Sequence, residues 1–435
     1  MENFINYKNE IENLTKSIKF NSKKKFTPGK SYIASAGKII DKNEIKLMIQ
    51  ASLDGWLTTG RFNKEFEKKL ASFLNVKNLI TVNSGSSANL VAFSSLLSPK
   101  MGNKRIKAGD EVIAVAAGFP TTINPIIQNQ CIPVFVDVFQ ETYNINFNLI
   151  KKAITKKTKC IMIAHTLGNP FNIGEIKKIC DEYDLFLVED NCDALGSKYQ
   201  NQFTGSFGDI ATLSFYPAHH ITMGEGGAVF TNSIKLKRIV ESIRDWGRDC
   251  YCETGCDNTC GKRYDWQLGD LPFGYDHKFT YSHMGYNLKI TDMQAACGVA
   301  QADKLNKFIS IRKENHQYYK KNMSHLSKHI ILPEATENSD PSWFGFAITL
   351  KNKKIKRYDL LKHLENKKIG TRLLFGGNIT KQPYFKGLNY RIASNLTVTD
   401  NIMNNTFWIG VYPGINKKMQ NYVIENIEIF LNHNS

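Results

Sequence analysis

Short apolar runs that alternate with helix-like segments dominate the middle of the chain. Seven runs have the length and β-branched content of strands: Asn78 to Asn83, Glu111 to Ala116, Ile132 to Val136, Cys160 to His165, Leu185 to Asp190, Ile210 to Tyr216 and Gly226 to Thr231. Strands that alternate with helices predict an α/β fold with a mostly parallel seven-stranded sheet, covered on both faces, whose functional site lies at the carboxyl ends of the strands.

The regions on either side of this core have different patterns. Before it, apolar residues recur at helical spacing on both sides of the break DGWLTTGRF, which predicts two helices between Asp41 and Leu74. After it, residues 244–286 lose all periodicity and are rich in Gly, Asp and aromatic residues. We call residues 244–286 the cysteine loop. A loop of this length inside a compact enzyme is usually functional.

The C-terminal third returns to a mixed pattern. A helical run follows Thr291, and then come a strand-like stretch, Phe344 to Leu350, and a helix-like stretch, Tyr358 to Asn366. These features predict a smaller C-terminal α/β domain. We therefore expect three parts: an N-terminal arm (1–30), a large domain with the cysteine loop (31–300) and a small domain (301–435).

Composition narrows the class of protein. The 435 residues are 42% hydrophobic and 22% charged, which is ordinary for a globular protein. The polar start MENFINYKNE and the lack of a long apolar run lead us to expect a cytoplasmic enzyme without a membrane partner. The net charge of +17 is spread along the chain. We interpret it as a basic surface rather than a nucleic-acid site, and a basic cleft would help to capture a nucleotide diphosphate.

Two motifs have the character of ligand sites. The segment NSGSSANLVAF, residues 83–93, places a Gly-Ser-Ser turn after a strand and at the start of a helix. Such a turn binds anions well, although the same residues often serve only as helix caps. The segment VEDNCDALG, residues 188–196, ends a predicted buried strand with two carboxylates.

A third segment, IATLSFYPAHHITMGEGGAVFT (210–231), carries the strongest resemblance. It is similar to the cofactor-lysine segment of the vitamin-B6-dependent DegT/DnrJ/EryC1/StrS sugar aminotransferases. The resemblance implies the large domain of fold-type-I pyridoxal phosphate (PLP) enzymes. In the family a lysine stands five places after the position of Ser214, but this chain has His219 there. No lysine lies between Lys198 and Lys235.

The same resemblance implies roles for residues in the other motifs. Ser86, Ser87 and Ser214 would contact the cofactor phosphate, and Asp190 would pair with the ring nitrogen, with Asp193 at a position that usually holds Gln or His. Phe119 would stack on the ring, although a core phenylalanine is an equal alternative. In GYNLKITDMQAA (285–296), Asn287 would reach the phosphate of a neighbouring subunit, which implies a homodimer.

The missing lysine changes the expected chemistry. Histidine can move protons near neutral pH, but it cannot hold the cofactor covalently. The resemblance then implies non-covalent pyridoxamine phosphate (PMP) and a dehydration in which His219 takes a proton and a hydroxyl leaves. His220 is adjacent, and only the count from Ser214 favours His219. An inactive homologue is the alternative.

Nine cysteines form an odd set that we interpret as thiols rather than disulfides. Four thiolates can hold either an iron-sulfur cluster or a structural zinc. The spacing of Cys192, Cys250, Cys252 and Cys260 resembles that of the [2Fe-2S] ligands in the CDP-4-keto-6-deoxy-D-glucose 3-dehydrases of lipopolysaccharide biosynthesis, the RfbH-type enzymes. Cys256 would be a spare or alternative ligand. We favour iron, because Cys192 follows Asp190 closely and a cluster there would lie near the cofactor.

This closer resemblance implies a specific activity. PMP would act at carbon 4 of CDP-4-dehydro-6-deoxyglucose, the carbon-3 hydroxyl would leave, and an NADH-dependent flavin iron-sulfur reductase would deliver electrons through the cluster. The product would be a 3,6-dideoxysugar precursor for O-antigen. Three alternatives stay open: a redox-independent PMP dehydratase such as the GDP-sugar enzyme, an ordinary sugar aminotransferase, and an inactive zinc-bearing homologue. A dTDP-linked substrate is also open.

Overall fold

The computed structural model describes residues 9–11, 13–15, 25–252, 254–351 and 354–434. Most of the expected N-terminal arm (1–30) lies outside these residues. The α-helices of at least nine residues are α1 (Lys42–Leu53), α2 (Arg61–Leu74), α3 (Gly85–Leu96), α4 (Pro120–Gln128), α5 (Ile173–Tyr183), α6 (Ile234–Arg244), α7 (Asp292–Ala302), α8 (Leu305–Asn322), α9 (Arg357–Asn366), α10 (Thr397–Asn405) and α11 (Lys417–His433). One further turn of α-helix spans Ile150–Ala153.

The strands, numbered along the chain, are β1 (Asn78–Val82), β2 (Glu111–Val115), β3 (Ile132–Val136), β4 (Thr158–Ala164), β5 (Phe186–Asp190), β6 (Lys198–Tyr199), β7 (Gln202–Phe203), β8 (Ile210–Ser214), β9 (Gly227–Thr231), β10 (Ile330–Ile331), β11 (Ser339–Asp340), β12 (Gly345–Leu350), β13 (Arg372–Leu373), β14 (Arg391–Ile392) and β15 (Thr406–Gly410). Short 3-10 helices lie between them, at Pro99–Lys104, Phe147–Leu149, Thr166–Gly168, His277–Phe279, Ser324–Lys328, Ile379–Lys381 and Pro383–Phe385.

Helix starts follow the capping chemistry of the sequence. Asp41 caps α1 in a capping box with Glu44, and Thr291 does the same for α7 with Gln294. Ser84 caps α3, because its Oγ accepts a hydrogen bond from the backbone N–H of Ser87 at 3.0 Å. The two helices predicted between Asp41 and Leu74 are α1 and α2, so this prediction is confirmed.

The large sheet has the order β1-β9-β8-β5-β4-β2-β3-β14. The pairs from β8 through β5, β4, β2 and β3 to β14 are parallel, while β9 runs antiparallel to both β8 and β1. All seven predicted strands belong to this sheet, which confirms the mostly parallel α/β fold. The eighth strand, β14, was not predicted.

Both faces of the sheet are buried, as expected for parallel strands. Alternate residues of β2 show this division, because Val112 and Ala114 pack in one apolar cluster and Ile113 and Val115 in the other. Helices α3 and α6 cover the first face, and α5 covers the second. The carboxyl ends of the parallel strands therefore meet at one edge of a rigid layer.

A second, antiparallel sheet has the order β10-β12-β15-β13 and packs against α9 and α11. Strand β12 and helix α9 confirm the strand and helix predicted there. The predicted domain boundary between residues 300 and 301 falls within α7, and β14 carries a C-terminal segment back to the large sheet. The division into domains stays a prediction.

The cysteine loop (244–286) has little regular structure. Among its described residues after α6, the only helix is the 3-10 turn His277–Phe279. A bridge between Arg248 and Tyr281 and one between Asp245 and Asn287 close the base of the loop. Separately, no helix in the described part of the chain is long and apolar enough to cross a membrane.

Candidate active site

A buried carboxylate lies where β5 ends. Asp190 is 5% exposed. Its Oδ2 accepts hydrogen bonds from Asn89 Nδ2 at 2.8 Å and from Thr122 Oγ1 at 2.6 Å. Thr212 Oγ1 donates to Asn89 Oδ1 at 2.7 Å, which fixes the orientation of that amide. Three surrounding elements, α3, α4 and β8, thus hold one carboxylate in place, and this arrangement suits a cationic ring nitrogen.

The start of α3 lies beside Ser214. Ser86 is exposed and Ser87 half-buried, and both lie in the first turn of the helix, where backbone N–H groups lack partners within the helix. A Cβ at Gly85 would lie 2.5 Å from Ser214 Cβ and 3.2 Å from Cys192 Sγ. Only glycine permits this close approach, so the helix terminus and Ser214 form one cradle. Such a cradle fits a phosphate group.

His219 lies on the loop after β8 with a defined tautomer. Its Nδ1 is 2.9 Å from the carbonyl oxygen of Cys192. A carbonyl only accepts, so Nδ1 carries the proton and Nε2 is left with a free lone pair. Burial lowers the pKa of His219 to about 4, against the raising effect of the Cys192 hydrogen bond. His219 is therefore neutral at neutral pH and has a basic nitrogen available.

His220 points elsewhere. Its Nε2 donates to the carbonyl oxygen of Ser342 at 2.8 Å, and the residue is 2% exposed. Burial holds its pKa well below the ordinary value. The ring of His220 is thus bonded to the Ser342 carbonyl, while His219 is bonded to the carbonyl of Cys192, two residues after Asp190. The role of His219 as the proton-transfer group stays a prediction.

Asp193 and Phe119 lie at the margins of this site. Asp193 Oδ1 is 3.7 Å from His219 Nδ1. Burial, and then the nearby charge of Asp190, raise the pKa of Asp193 to about 8, so it is mostly protonated at neutral pH. Phe119 caps α4, is 50% exposed, and meets Phe375 edge-on with ring centroids 5.9 Å apart. Its ring face is thus not enclosed in the core of this chain, and its stacking role stays a prediction.

Asn287 lies just beyond the cysteine loop. Its side chain is exposed, and its Oδ1 accepts a hydrogen bond from Lys289 Nζ at 2.8 Å. An exposed position is compatible with a contact to a second subunit. The homodimer and the phosphate contact of Asn287 stay predictions.

The predicted metal ligands fall into two places. Cys250, Cys252, Cys256 and Cys260 all line one cavity of about 280 Å³ within the cysteine loop. Cys192 does not line this cavity; its Sγ lies 3.9 Å from Thr212 Oγ1, at the cofactor site. Burial, followed by the charge of Asp190, raises the pKa of the Cys192 thiol well above its ordinary value.

The loop thiols differ from Cys192 in their electrostatics. Burial alone would raise the pKa of Cys252, but hydrogen bonds from Thr259 and from the backbone of Cys260 lower it to about 7. A thiol in this setting is partly thiolate at neutral pH, the form that binds metals. Among the described residues, however, no three His, Cys, Asp or Glu side chains converge closely enough to hold a metal ion. The assignment of Cys192, Cys250, Cys252 and Cys260 as ligands stays a prediction.

Sequence reasoning missed two residues that hold Asp190. Asn89 is a polar residue on the mostly apolar, buried face of α3, and this contrast is a usable signal. Thr122 follows the aromatic in AAGFPTTINP, but nothing in its local pattern points to a carboxylate on another strand. We call residues 216–226, which follow β8 and carry His219 and His220, the histidine loop. A third missed residue, Arg312, donates a hydrogen bond to the backbone of this loop.

Comparison with known proteins gives a consistent result. Residues 38–428 match the model of the DegT/DnrJ/EryC1/StrS aminotransferase family. The chain is 60% identical to the lipopolysaccharide biosynthesis protein RfbH of Salmonella typhimurium, over 95% of each chain. It is 53% identical to the dTDP-4-dehydro-2,6-dideoxy-D-glucose 3-dehydratase of Saccharopolyspora spinosa, over 93% of this chain and 88% of that protein.

A solved structure supports the same fold. The E. coli GDP-4-keto-6-deoxy-D-mannose-3-dehydratase with bound hydrated PLP superposes with a TM-score of 0.82 at 29% identity, covering 91% of this chain and 99% of that one. The match extends over both the large sheet and the C-terminal elements. The fold-type-I architecture expected from the sequence is confirmed.

Proposed function

The chain belongs to the DegT/DnrJ/EryC1/StrS aminotransferase family and is a nucleotide-sugar 3-dehydratase that uses a vitamin B6 cofactor, and we propose that it removes the carbon-3 hydroxyl of CDP-4-dehydro-6-deoxy-D-glucose. In this proposal the cofactor is PMP and the product leads to a 3,6-dideoxysugar of lipopolysaccharide. The identity to RfbH supports the lipopolysaccharide context.

One observation carries the proposal: the residue in the lysine position is a neutral histidine with a free Nε2. Its Nδ1–H is committed to the Cys192 carbonyl at 2.9 Å. No lysine lies between Lys198 and Lys235 to attach the cofactor covalently. A site that binds the cofactor without a covalent bond and offers a neutral base favours proton transfer and loss of a hydroxyl over transamination.

The residues of the pocket would divide the work. PMP, when bound, supplies an amine for the substrate ketone and a ring that stabilises negative charge. Ser86, Ser87 and Ser214 would hold its phosphate, and Asp190 would hold its ring nitrogen. His219 Nε2 would accept the proton. Because the pKa of His219 is about 4, its base form persists throughout the neutral range.

For the reductive half we propose a [2Fe-2S] cluster held by Cys192, Cys250, Cys252 and Cys260, supplied with electrons by an NADH-dependent flavin iron-sulfur reductase. Four loop cysteines around one cavity of about 280 Å³ support this proposal. The lowered pKa of Cys252, about 7, also supports a thiolate ligand. Cys192 would have to meet the loop cysteines, which would bring the cysteine loop towards the cofactor pocket.

A second candidate is a PMP-dependent dehydratase that needs no external electrons. It is favoured by the separation between Cys192 and the loop cavity and by the absence, among the described residues, of three converging ligand side chains. Both candidates use the same pocket and the same base. They differ only in whether the cysteines carry a cluster.

The deciding experiment is electron paramagnetic resonance of anaerobically purified, dithionite-reduced protein, with iron and zinc analysis of the same sample. A rhombic signal of a reduced two-iron cluster, lost in Cys250→Ser and retained in Cys256→Ser, is the expected result. Cys256 is the matched control because it lines the same cavity but is not one of the four proposed ligands. Stoichiometric zinc without a signal would eliminate the electron-relaying mechanism and leave the redox-independent dehydratase.

The nucleotide is tested separately. Turnover is measured with CDP- and dTDP-linked 4-keto-6-deoxy sugars under identical conditions, with the artificial electron donor held constant. We expect the CDP-linked sugar to have the higher kcat/KM. A preference for the dTDP-linked sugar would move this chain towards the activity named for the Saccharopolyspora protein.

A further inference from the structure

A buried arginine lies directly behind the histidine loop. Arg312, on α8, is 1% exposed. Its Nη2 donates to the carbonyl oxygen of His219 at 3.1 Å, and its Nη1 donates to those of Trp343 and Phe344 at 3.3 and 3.2 Å. Burying a charge is costly unless hydrogen bonds compensate for it. Because the buried guanidinium directs its hydrogen bonds to three backbone carbonyls, we infer that it fixes the position of this backbone.

The third nitrogen of the guanidinium faces a very small cavity. Arg312 Nε is buried and has no hydrogen-bond partner among the described residues, and the same is true of His220 Nδ1. Both residues line one cavity of about 10 Å³ beneath the histidine loop. A polar cavity of this size holds about one water molecule.

The hydrogen-bond polarity of the two atoms is complementary. His220 Nε2 donates to the Ser342 carbonyl, so His220 Nδ1 can only accept in the neutral ring. Arg312 Nε–H can only donate. A single water would accept from Arg312 and donate to His220, satisfying both buried atoms at once.

We propose that Arg312 is a positioning residue. Through its hydrogen bond to the His219 carbonyl and a buried water shared with His220, it orients His219 Nε2 towards the reacting atoms. These contacts would link α8 to two consecutive loop residues, His219 and His220, and hold the loop at both. This inference rests on the proposed role of His219 as the base.

The test compares Arg312→Met with Arg312→Lys in PMP-loaded protein. Histidine ¹⁵N chemical shifts at about pH 7, assigned with a His219→Asn sample, report the tautomer of His219 without any turnover. In the parent protein we expect the Nδ1–H tautomer, which the Cys192 carbonyl fixes. In Arg312→Met we expect a mixture of the two tautomers and a kcat about 10²-fold lower, the size of effect seen when a catalytic group is misplaced.

Arg312→Lys separates charge from geometry. It keeps the positive charge but not the planar fork that reaches three carbonyls, so we expect the same mixture of His219 tautomers as in Arg312→Met and a reduced kcat. Asn315→Ala is the control for damage to the helix, because Asn315 lies one turn further along α8 and donates to the Val411 carbonyl at 3.1 Å rather than to the histidine loop. The His219 signals should be unchanged in that variant.

Unchanged His219 signals and unchanged kcat in Arg312→Met would overturn the inference. If Arg312→Met does not fold, the folded Arg312→Lys variant still decides, since parent-like kcat and signals in it would contradict positioning by the fork. Failure of the parent protein to turn over any nucleotide sugar would instead count against the proposed function, and the ¹⁵N measurement would still report on Arg312.

Discussion

In the cofactor pocket the reactive side chains lie at the ends of regular elements that hold them, whereas in the cysteine loop they line a cavity in a segment almost without regular structure. Asp190 receives hydrogen bonds from α3 and α4, and His219 is fixed by the backbone of Cys192. The loop thiols Cys250 and Cys252 are half-buried, as Cys192 is. The pocket is therefore built on the sheet, while the loop is held mainly by side-chain contacts, such as that of Thr254 with Thr59.

This contrast separates the two halves of the proposed chemistry. Burial sets the protonation states of the pocket, with the pKa of His219 lowered to about 4 and that of Asp193 raised to about 8. Hydrogen bonds set the state of Cys252 in the loop, where the pKa is about 7. In the proposed chemistry the proton-transfer group is already in position in the folded chain, while electron transfer would require the loop thiols to move next to Cys192.

The largest expected effect is on the pocket side, from His219→Asn. The asparagine amide can still donate to the Cys192 carbonyl, but it offers no base, so we expect kcat to fall by about 10² to 10⁴-fold. PMP affinity, measured by equilibrium dialysis, should stay within a few-fold of the parent value. If affinity and kcat fell by the same factor, His219 would be a binding residue rather than the base. The iron content should be the same as in the parent, which tests the independence of the two regions.

The next effect is on stability. Phe215 is fully buried below the histidine loop and meets Phe66 edge-on, with ring centroids 5.2 Å apart. Phe215→Ala should cost about 3 to 5 kcal/mol of unfolding free energy, because a large cavity forms in a rigid core. In the cysteine loop, Phe273 is 76% exposed, and Phe273→Ala should stay within about 0.5 kcal/mol.

Urea denaturation of both variants and the parent gives these values. Equal costs for Phe215→Ala and Phe273→Ala would remove the contrast between the two regions. A large cost for Phe273→Ala, dependent on protein concentration, would show instead that the loop packs against a second subunit.

The sequence allowed the fold to be predicted, because the end of each parallel strand falls at the same edge of the sheet, and Asp190 and Ser214 lie at this edge. The roles of Asp190, Ser214 and His219 came from the resemblance to the sugar aminotransferase family, in which the count from Ser214 selects His219 over His220, and these roles stay predictions. Strand β14 was missed because two residues, Arg391 and Ile392, are too few to show a period.

The remaining parts depend on long-range contacts that leave no local pattern. Thr122 and Arg312 donate hydrogen bonds to residues 68 and 93 positions away in the chain. No periodic pattern in the sequence predicts either contact. The spacing of the cysteines indicates which thiols resemble a ligand set. It does not determine where Cys192 lies relative to the loop, because no strand pairing sets the path of the described residues 250–252 and 254–260.

The smallest expected effect is the reactivity difference between thiols of the two regions. In metal-free protein at about pH 7, about half of Cys252 is thiolate, against about one part in a hundred for a thiol with the ordinary pKa of 9.0. Lower basicity also lowers intrinsic nucleophilicity, so the net gain in the rate of iodoacetamide alkylation should be roughly five- to ten-fold. Cys192, which is half-buried and has its pKa raised well above that value, should stay unmodified over the same time. Peptide mass spectrometry at timed intervals measures both sites in one sample. Rapid alkylation of Cys192 would show that the pocket opens to solvent and would remove the electrostatic distinction between the two regions.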